Sequence, residues 1–272
     1  MRFDAMILAA GLGRRLHPFT EDIPKALIDV AGRTMLGRIV GRLSIAGARQ
    51  IVVNIHHHAD QIRAYLDRLQ AEDETLCPVV ISHEVDFPLE TGGGILRASS
   101  LFGGTDPIVI QNVDVISGLD LEGFVQVHME TGALATLAVS QRHSTRTLWF
   151  DDLGLWGRDK GRAGGIDTGG IGTGGIDTDG ERVRNPVGDP HGAAFAGIHV
   201  VSPDLPRRLE AYSREIGNVA FSITDAYLWM AGRGDSIRPY DAADALWLEV
   251  GTPERLADAR RTIGLLEAAD QP

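Results

Sequence analysis

Basic residues follow a glycine-rich turn in the segment LAAGLGRRLHPFTEDIPKAL, near the start of the chain. Backbone amides at Gly11 and Gly13 can approach phosphate oxygens closely, because glycine has no side chain to keep a ligand away. Arg15 and Lys25 supply positive charge within reach of the same loop. We therefore predict that residues 9–13, which we call the cradle loop, bind phosphate groups.

The two commonest glycine-rich phosphate motifs do not match this loop. The dinucleotide fingerprint requires a glycine or alanine where this chain has Leu16, and the P-loop requires Gly-Lys-Ser or Gly-Lys-Thr, which is absent. The segment resembles the signature of the sugar-1-phosphate nucleotidyltransferases, L-A-A/G-G-x-G-x-R-L/M followed by P-K-P-L, with Ala26 in place of the last proline. The resemblance implies nucleotide binding by Ala10, Gly11, Gly13, Arg15 and Lys25.

A carboxylate follows the predicted strand Pro107 to Gln111, in the run Q-N-V-D. Asp114 is expected to point into the same crevice as the cradle loop, where it could hold a divalent metal that bridges triphosphate oxygens. The alternative is an aspartate that only stabilises a turn after the strand. The family has N-G-D or G-D at this place, so the resemblance implies metal binding by Asp114 and sugar contact by Asn112.

The run WLEVGTPERL, from Trp247 to Leu256, resembles W-x-D-V/I-G-T-x-E-R-L of the same family. Glu249 stands where the family has its second metal-binding aspartate, so the resemblance implies that Asp114 and Glu249 hold Mg²⁺. The alternative is that Glu249 faces solvent in an edge strand. Thr252 and Pro253 predict the start of the last helix, as its N-cap and first residue.

The run EVDFPLETGGGI begins at Glu84 and resembles E-x-x-P-L-x-T-G/A-G, which in the family faces the nucleobase and opens a helix. The resemblance implies that Glu84 accepts from a base N–H and that Thr91 and Gly92 meet ring carbonyls. A tight helix entry is the alternative explanation for the glycines. The form E-T-G-G-G-I is most similar to uridylyltransferases acting on N-acetylmuramic acid 1-phosphate, whereas guanylyltransferases for mannose or heptose 1-phosphate usually read G-T-A/G-G.

The sequence gives fewer signals for the residues that would contact the sugar. The run FAGIH at residues 195–199 resembles the family's F-x-G-I/L-x strand, which implies that Gly197 lets the backbone approach the sugar. Arg142 and Arg146, in the stretch RHSTR, are expected to be surface arginines. Contact between them and a carboxylate on an acidic sugar is the alternative.

Apolar β-rich runs alternate with amphipathic stretches, which predicts an α/β fold with a mostly parallel, Rossmann-like sheet and helices on both faces. The cradle loop follows the first strand, and ligands in such sheets bind outside the carboxyl ends of strands. The resemblance implies the nucleotide-diphospho-sugar transferase fold. The expected strands are Phe3 to Leu8, Gln50 to Asn54, Pro78 to Ile81, Pro107 to Gln111 and Leu134 to Val139, and the expected helices include Thr34 to Gly47 and Asp60 to Leu69.

The length fits one large α/β domain over residues 1–272, and the resemblance implies that it is a nucleotidyltransferase domain. The net charge of −11 argues against a nucleic-acid partner, and Cys77 is the only cysteine, which excludes a disulfide framework. The apolar run Met6 to Ala10 is too short for a signal-peptide core, and no stretch predicts a membrane partner. We expect a cytoplasmic protein, and the sequence does not predict its oligomeric state.

Two segments are expected to have no chemical role. The glycine-rich repeat GGIDTGGIGTGGIDTDG predicts a flexible insertion at about 161–185, although its aspartates resemble a calcium-binding pattern weakly. Three consecutive histidines, His56 to His58, would diverge on a loop and so are not expected to bind zinc.

The resemblance implies that the phosphate of a sugar 1-phosphate attacks the α-phosphorus of a nucleoside triphosphate in line and releases pyrophosphate. Arg15 would stabilise the transition state, Lys25 would draw the phosphates together, and Mg²⁺ would lie on Asp114 and Glu249. UTP and N-acetylmuramate 1-phosphate are the favoured substrates. The alternatives are a guanylyltransferase for mannose or heptose 1-phosphate, and a non-catalytic homologue that binds a sugar nucleotide. A nicotinamide dehydrogenase is disfavoured because the third glycine is missing.

Overall fold

A computed structural model describes residues 2–142, 144, 146–159 and 180–269. Nearly all of the glycine-rich repeat predicted to be a flexible insertion lies outside the described residues. The described strands are β1 Phe3–Leu8, β2 Asp29–Val30, β3 Arg33–Thr34, β4 Ala48–Ile55, β5 Val79–His83, β6 Ile108–Asn112, β7 Val115–Ser117, β8 Ala135–Ser140, β9 Thr147–Asp151, β10 Gly154–Arg158, β11 Glu181–Arg182, β12 His191–Val201, β13 Ile237–Asp241 and β14 Trp247–Glu249. The α-helices are α1 Met35–Ile45, α2 Ala59–Glu72, α3 Glu90–Ala98, α4 Leu121–Thr131, α5 Leu205–Ile216, α6 Ile223–Ala231 and α7 Pro253–Ala269.

Strand β1 lies between β6 and β4 in the parallel part of the main sheet. Its last residue, Leu8, pairs with Asn112 at the end of β6 and with Asn54 near the end of β4. Because these strands are parallel, their carboxyl ends meet at one edge of the sheet. The cradle loop after β1 and Asp114 after β6 are thereby brought to the same edge.

The rest of the main sheet is organised by the long strand β12, which pairs antiparallel with β6, β8 and β9. Strands β10 and β11 continue the antiparallel pairing from β9, and β13 joins β8 in parallel. The sheet is therefore mixed. The alternation that predicted parallel strands applies to β1, β4, β5 and β6, and the antiparallel strands extend the sheet beyond β6.

A short antiparallel pair, β14 with β7, connects the C-terminal part of the chain to the edge where the site lies. Glu249 of β14 is opposite Val115 of β7 in this pair. The amide of Val250 also donates to the carbonyl oxygen of Asp114 at 2.7 Å. The Glu249 and Asp114 backbones are consequently held side by side.

Helix boundaries follow the expected signals. Thr34 caps α1, because its Oγ1 accepts from the amide of Gly37 at 3.0 Å, and Gly47 adopts a positive φ of 90° after the helix ends. The last helix begins at Pro253, and the Arg255 amide donates to Thr252 Oγ1 at 3.4 Å. Both predicted helix starts are therefore confirmed.

Apolar side chains fill both faces of the sheet. Helices α1, α2 and α4 cover one face, and α3, α5 and α6 cover the other. A third cluster joins α7 to the segment that follows the cradle loop, and it contains Leu16, Ile28, Val30, Met35, Val250, Leu256, Ala259 and Ile263. Within the described part of the chain, every helix falls short of the length and apolarity that crossing a membrane requires.

Candidate active site

One glycine, Gly13, determines the backbone conformation of the cradle loop, which follows β1. Gly13 has a φ of 64°, and a Cβ there would lie 3.1 Å from Thr20 Cγ2 and 3.3 Å from Lys25 Cβ. Thr20 Oγ1 donates to the carbonyl oxygen of Gly13 at 2.9 Å and fixes the turn. A Cβ on Gly11 would meet nothing within 4 Å, so this part of the loop faces open space. Gly13 thus shapes the turn, and Gly11 leaves room for a ligand.

A cavity of about 520 Å³ lies beside this loop. Asn54, Pro88, Glu90 and Gly251 contribute to its wall, although they were not among the residues predicted to bind ligand. Most of the predicted site residues also line it, namely Ala10, Gly11, Gly13, Arg15, Lys25, Thr91, Asn112 and Asp114.

Lys25 and Asp114 form an ion pair in the wall of the cavity. The Nζ atom of Lys25 lies 2.6 Å from Asp114 Oδ2, and the two side chains are only 12% and 21% exposed. Charged groups that are shielded from water interact more strongly than surface pairs. The pair therefore places one positive and one negative group side by side in the cavity wall.

Glu249 lies between two arginines. Its Oε1 is 3.6 Å from Nη2 of Arg15, and its Oε2 accepts from Nη1 of Arg255. A Cβ on Gly251 would lie 2.7 Å from Oε1 of Glu249, so the longer glutamate side chain folds over a residue without a side chain. The extra methylene relative to aspartate is accommodated in this way.

A polar network supports the turn that carries Asp114. Gln111 is buried, and its Nε2 donates to the carbonyl oxygen of Val115 at 2.8 Å. Arg42 of α1 donates to Gln111 Oε1 at 3.3 Å and to the carbonyl oxygen of Leu119. Burial lowers the pKa of Arg42 to about 10, which still leaves it charged at neutral pH. The turn is thus fixed from behind by the first helix.

Asn54 connects the cradle loop to Glu84 and is not among the residues predicted from the sequence to form the site. Its Oδ1 accepts from the Ala9 amide at 2.7 Å, and its Nδ2 donates to Glu84 Oε1 at 2.7 Å. The sequence did contain a signal for this role, namely a polar residue near the end of the apolar run IVVNI. The carboxyl end of such a strand lies beside the cradle loop in a parallel sheet.

The Glu84 carboxylate is engaged inside the protein. The residue is 1% exposed, and its second oxygen accepts from the Leu89 amide at 2.7 Å. The cavity-lining residues do not include Glu84, so its carboxylate is shielded from a ligand in the cavity. The structure thus gives Glu84 a supporting task, and its contact with a base stays a prediction.

The three glycines of α3 pack closely against neighbouring segments. A Cβ on Gly92 would lie 2.5 Å from the ring of Phe221, and the Gly92 amide donates to the Phe221 carbonyl oxygen at 2.8 Å. Thr91 Oγ1 accepts from the Ile223 amide at 2.9 Å while Thr91 lines the cavity. The geometry favours a tight helix entry as the reason for the glycines. Glu90, before them, has a φ of 59°, which a residue other than glycine rarely adopts.

Gly197 lies behind the cavity wall and is not part of it. It has a φ of 76° in an irregular part of β12, and a Cβ there would lie 2.9 Å from Asn112 Nδ2 and 3.2 Å from Val115 Cγ2. The missing side chain therefore makes room for Asn112, which does line the cavity. Direct contact between Gly197 and a sugar stays a prediction.

The histidine run has local hydrogen-bonding and capping roles. His56 Nδ1 lies 2.6 Å from the Glu84 carbonyl oxygen, and His58 precedes α2 in a left-handed conformation. In the described ranges, no group of three or more His, Cys, Asp or Glu side chains is arranged to hold a metal. Mg²⁺ does not need three protein ligands, because it commonly uses one or two carboxylates together with substrate phosphates and water. The two carboxylates of Asp114 and Glu249 are compatible with that kind of site.

Comparison with known proteins adds family and fold information. A family model described as nucleotidyl transferase matches residues 4–147. The chain is 31% identical over 263 residues to an N-acetylmuramate alpha-1-phosphate uridylyltransferase from Neisseria meningitidis, covering 96% of this chain and 98% of that protein. It is 45% identical over 113 residues to a protein of the same name from Caulobacter vibrioides, covering 41% of this chain and 46% of that relative.

A solved UDP-glucose pyrophosphorylase from Acinetobacter baumanii is also similar to the chain. The TM-score is 0.70 at 18% sequence identity, and the match covers 98% of this chain and 94% of that protein. At this identity the likeness establishes the fold alone. The predicted fold class is therefore confirmed.

Proposed function

This chain belongs to the nucleotidyl transferase family, and we propose that it couples N-acetylmuramate 1-phosphate to UTP, giving the UDP-sugar and pyrophosphate. Two relatives bear the name of this activity, one of them matched over nearly the whole chain. The motif E-T-G-G-G-I, which begins at Glu90, supports the same assignment. Such a reaction suits the recycling of peptidoglycan sugars in the cytoplasm, and both that role and that location are part of the proposal.

The observation that carries the proposal is the Lys25 to Asp114 pair in the wall of the cavity beside the cradle loop. A transferase that joins two polyanions needs cations to offset their repulsion. Arg15 and Lys25 supply these cations at the same wall. The open space over Gly11 supplies the place where phosphate oxygens can approach the backbone.

In the proposed reaction, an oxygen of the sugar phosphate forms a bond to the α-phosphorus of UTP while the bond from that phosphorus to the β-bridging oxygen breaks. Pyrophosphate carries away the electron pair of the broken bond. Arg15 and Lys25 stabilise the charge that spreads over the phosphoryl oxygens, and Asn112 orients the sugar. No side chain needs to remove a proton, because the attacking phosphate oxygen is already ionised.

Asp114 and Glu249 are the residues that would hold Mg²⁺. Their backbones are adjacent through the pairing of β14 with β7, and each carboxylate is at present balanced by a neighbouring cation. Hard carboxylate oxygens of this kind match the ligand preference of the ion. When bound, Mg²⁺ would offset negative charge on the phosphate groups.

The test is release of pyrophosphate from UTP, GTP, CTP or dTTP, each incubated in turn with N-acetylmuramate 1-phosphate and Mg²⁺. Release with UTP that the Asp114→Ala variant lacks would support the proposal. A preference for GTP would favour a guanylyltransferase. Nucleotide binding by the wild-type protein without turnover on any sugar phosphate would favour a non-catalytic homologue. Either of the last two outcomes contradicts the proposal.

A further inference from the structure

Arg142, which follows the end of β8, is not the exposed arginine that the sequence suggested. Its guanidinium stacks on the indole of Trp247, with Cζ 3.9 Å from the ring centroid. Its Nη2 donates to the carbonyl oxygen of Phe195. Stacking and one hydrogen bond thus hold the planar group in a single orientation.

One nitrogen of this guanidinium remains unused. Within the part of the chain that the structure describes, Nη1 of Arg142 is buried and has no hydrogen-bond partner. Burial lowers the pKa of Arg142, and the nearby charge of Arg255 acts in the same direction while Glu249 opposes them. Glu249 is engaged by Arg15 and Arg255. A buried donor without an acceptor is unfavourable in a folded protein, so such a group calls for a partner.

Arg142 contacts β14 and β12, two strands that also carry residues proposed for the site. Trp247 precedes Glu249 on β14, and its Nε1 donates to the carbonyl oxygen of Ala196 at 2.9 Å. Ala196 precedes Gly197, whose missing side chain makes room for Asn112. The unused donor is therefore held by the strands that carry Glu249 and Gly197.

We infer that Arg142 determines sugar specificity by binding a carboxylate on the sugar substrate, an inference that rests on the function proposed above. A guanidinium is planar, stays charged and donates several hydrogen bonds, which suits it to a carboxylate. N-acetylmuramate carries such a group on its lactyl ether, and N-acetylglucosamine has no acid at that position. Arg142 would thus bind the group that distinguishes the two sugars.

The experiment combines one change in the protein with one change in the substrate. The value of kcat/KM is measured for the wild-type protein and for Arg142→Gln, with N-acetylmuramate 1-phosphate and with its lactyl amide, which has the same shape without the charge. For the wild-type protein, kcat/KM is expected to be between about 10-fold and about 100-fold lower with the amide than with the acid, the usual value of a hydrogen bond to a charged group. In Arg142→Gln the two sugars should differ by less than about threefold, because the partner is gone.

Arg146→Gln is the matched control, because Arg146 lies near Arg142 in the chain and is exposed. This variant should keep the wild-type preference for the acid. If Arg142→Gln does not fold, Arg142→Lys preserves a positive charge without the planar fork, and the acid preference should fall part of the way.

Two results would overturn the inference while leaving the proposed function intact. Either the wild-type protein would use acid and amide equally, or Arg142→Gln would keep the wild-type acid preference, whether or not its activity on both sugars falls. Failure of the wild-type protein to turn over any sugar phosphate would overturn the proposed function, and the inference with it.

Discussion

The Nζ atom of Lys25 lies 2.6 Å from Oδ2 of Asp114, so the chain itself neutralises the carboxylate proposed to bind metal. A cation at this distance competes with any ion that approaches Asp114. Lys25 is also the residue proposed to draw the two phosphates together. The same contact therefore links metal binding to phosphate binding.

Replacing Lys25 by Met should separate these two effects. Without the ammonium group, Mn²⁺ used as a probe for Mg²⁺ should bind the nucleotide-free protein more tightly, which a titration followed by electron paramagnetic resonance measures. The rate of pyrophosphate release should nevertheless fall by about 10²-fold to 10³-fold, the usual cost of losing a group that stabilises transition-state charge. Arg63→Gln, an exposed change on α2, is the control for charge alone. Weaker ion binding in Lys25→Met would contradict the competition described here.

Gly251→Ala should impair the enzyme through Glu249. The added Cβ would lie 2.7 Å from Oε1 of Glu249, which must then move. We expect a loss of about tenfold in kcat/KM, and a smaller loss when Glu249→Asp is present, because the shorter side chain avoids the contact. A double-mutant cycle with kinetics at several Mg²⁺ concentrations measures this coupling. Additive losses would mean that the longer side chain does not depend on Gly251.

Glu84→Gln should change stability and leave the base preference unchanged. The carboxylate accepts from Asn54 and from the Leu89 amide, and an amide group can accept on only one side. The free energy of unfolding should fall by about 1 to 3 kcal/mol, the cost of an unsatisfied buried group, as urea titration measures. The ratio of kcat/KM for UTP to that for GTP should match that of Asp86→Asn, an exposed control on the same segment. An altered ratio with unchanged stability would instead support direct contact with the base.

Alanine at Gly11 should weaken ligand binding, whereas alanine at Gly13 should weaken the fold. Gly11→Ala meets nothing within 4 Å, so the melting temperature should stay the same while stabilisation by UTP is reduced. Gly13→Ala must adopt a φ of 64° and should lower stability by about 1 to 2 kcal/mol even without ligand. Gly41→Ala, which meets nothing within 4 Å on α1, controls for a general effect of alanine. Thermal unfolding with and without UTP distinguishes the variants, and full UTP stabilisation of Gly11→Ala would argue against phosphate binding at this loop.

Two buried histidines should make the protein less stable in acid. Burial lowers the pKa of His128 from 6.5 to about 4 and that of His199 from 6.5 to about 3. Both therefore stay neutral in the folded state at a pH where the unfolded chain binds protons. The contribution of these two histidines to the free energy of unfolding is complete above pH 6.5. Below that pH it should fall by about 1.4 kcal/mol per pH unit for each histidine, until the pH reaches the folded pKa values.

Urea unfolding between pH 8 and about pH 5 measures this dependence. His128 Nδ1 lies 2.8 Å from Thr136 Oγ1, so His128→Gln is chosen to keep a polar group near that hydroxyl. It should remove about half of the slope, whereas the exposed His191→Gln should leave the slope unchanged. An unchanged slope in His128→Gln would assign the acid sensitivity to other groups.

Local signals in the sequence were enough to predict the cradle loop and its neighbours. The rule that parallel strands end at one edge of the sheet predicts that Asp114 lies beside the cradle loop. Its ion pair with Lys25, 89 residues earlier in the chain, is seen only in the structure. The role of Asn54 depends on hydrogen bonds to Ala9 and Glu84, which only the folded arrangement of β1, β4 and β5 creates. Long-range packing of that kind leaves no periodic trace in the chain.

The burial of Arg142 was unpredictable for a related reason. The stretch RHSTR reads as polar loop, and nothing in its spacing indicates an indole 105 residues later in the chain. Phe195 on β12 and Trp247 on β14 meet at this arginine, and the two strands are linked by the hydrogen bond from Trp247 Nε1 to the carbonyl oxygen of Ala196. Because the residues next to Arg142 are polar and its partners are distant in the chain, the local sequence predicted an exposed arginine.

Helix α7 packs on Leu16 and Ile28, so the last part of the chain to be synthesised contributes to assembly of the site near its start. Residues that flank the cradle loop leave the ribosome early, whereas Leu256 and Ile263, which complete their apolar cluster, leave it late. Contacts between segments so distant in sequence form only after most of the chain is available. A nascent chain that ends before α7 should therefore contain every residue of the cradle loop and still lack a stable nucleotide site.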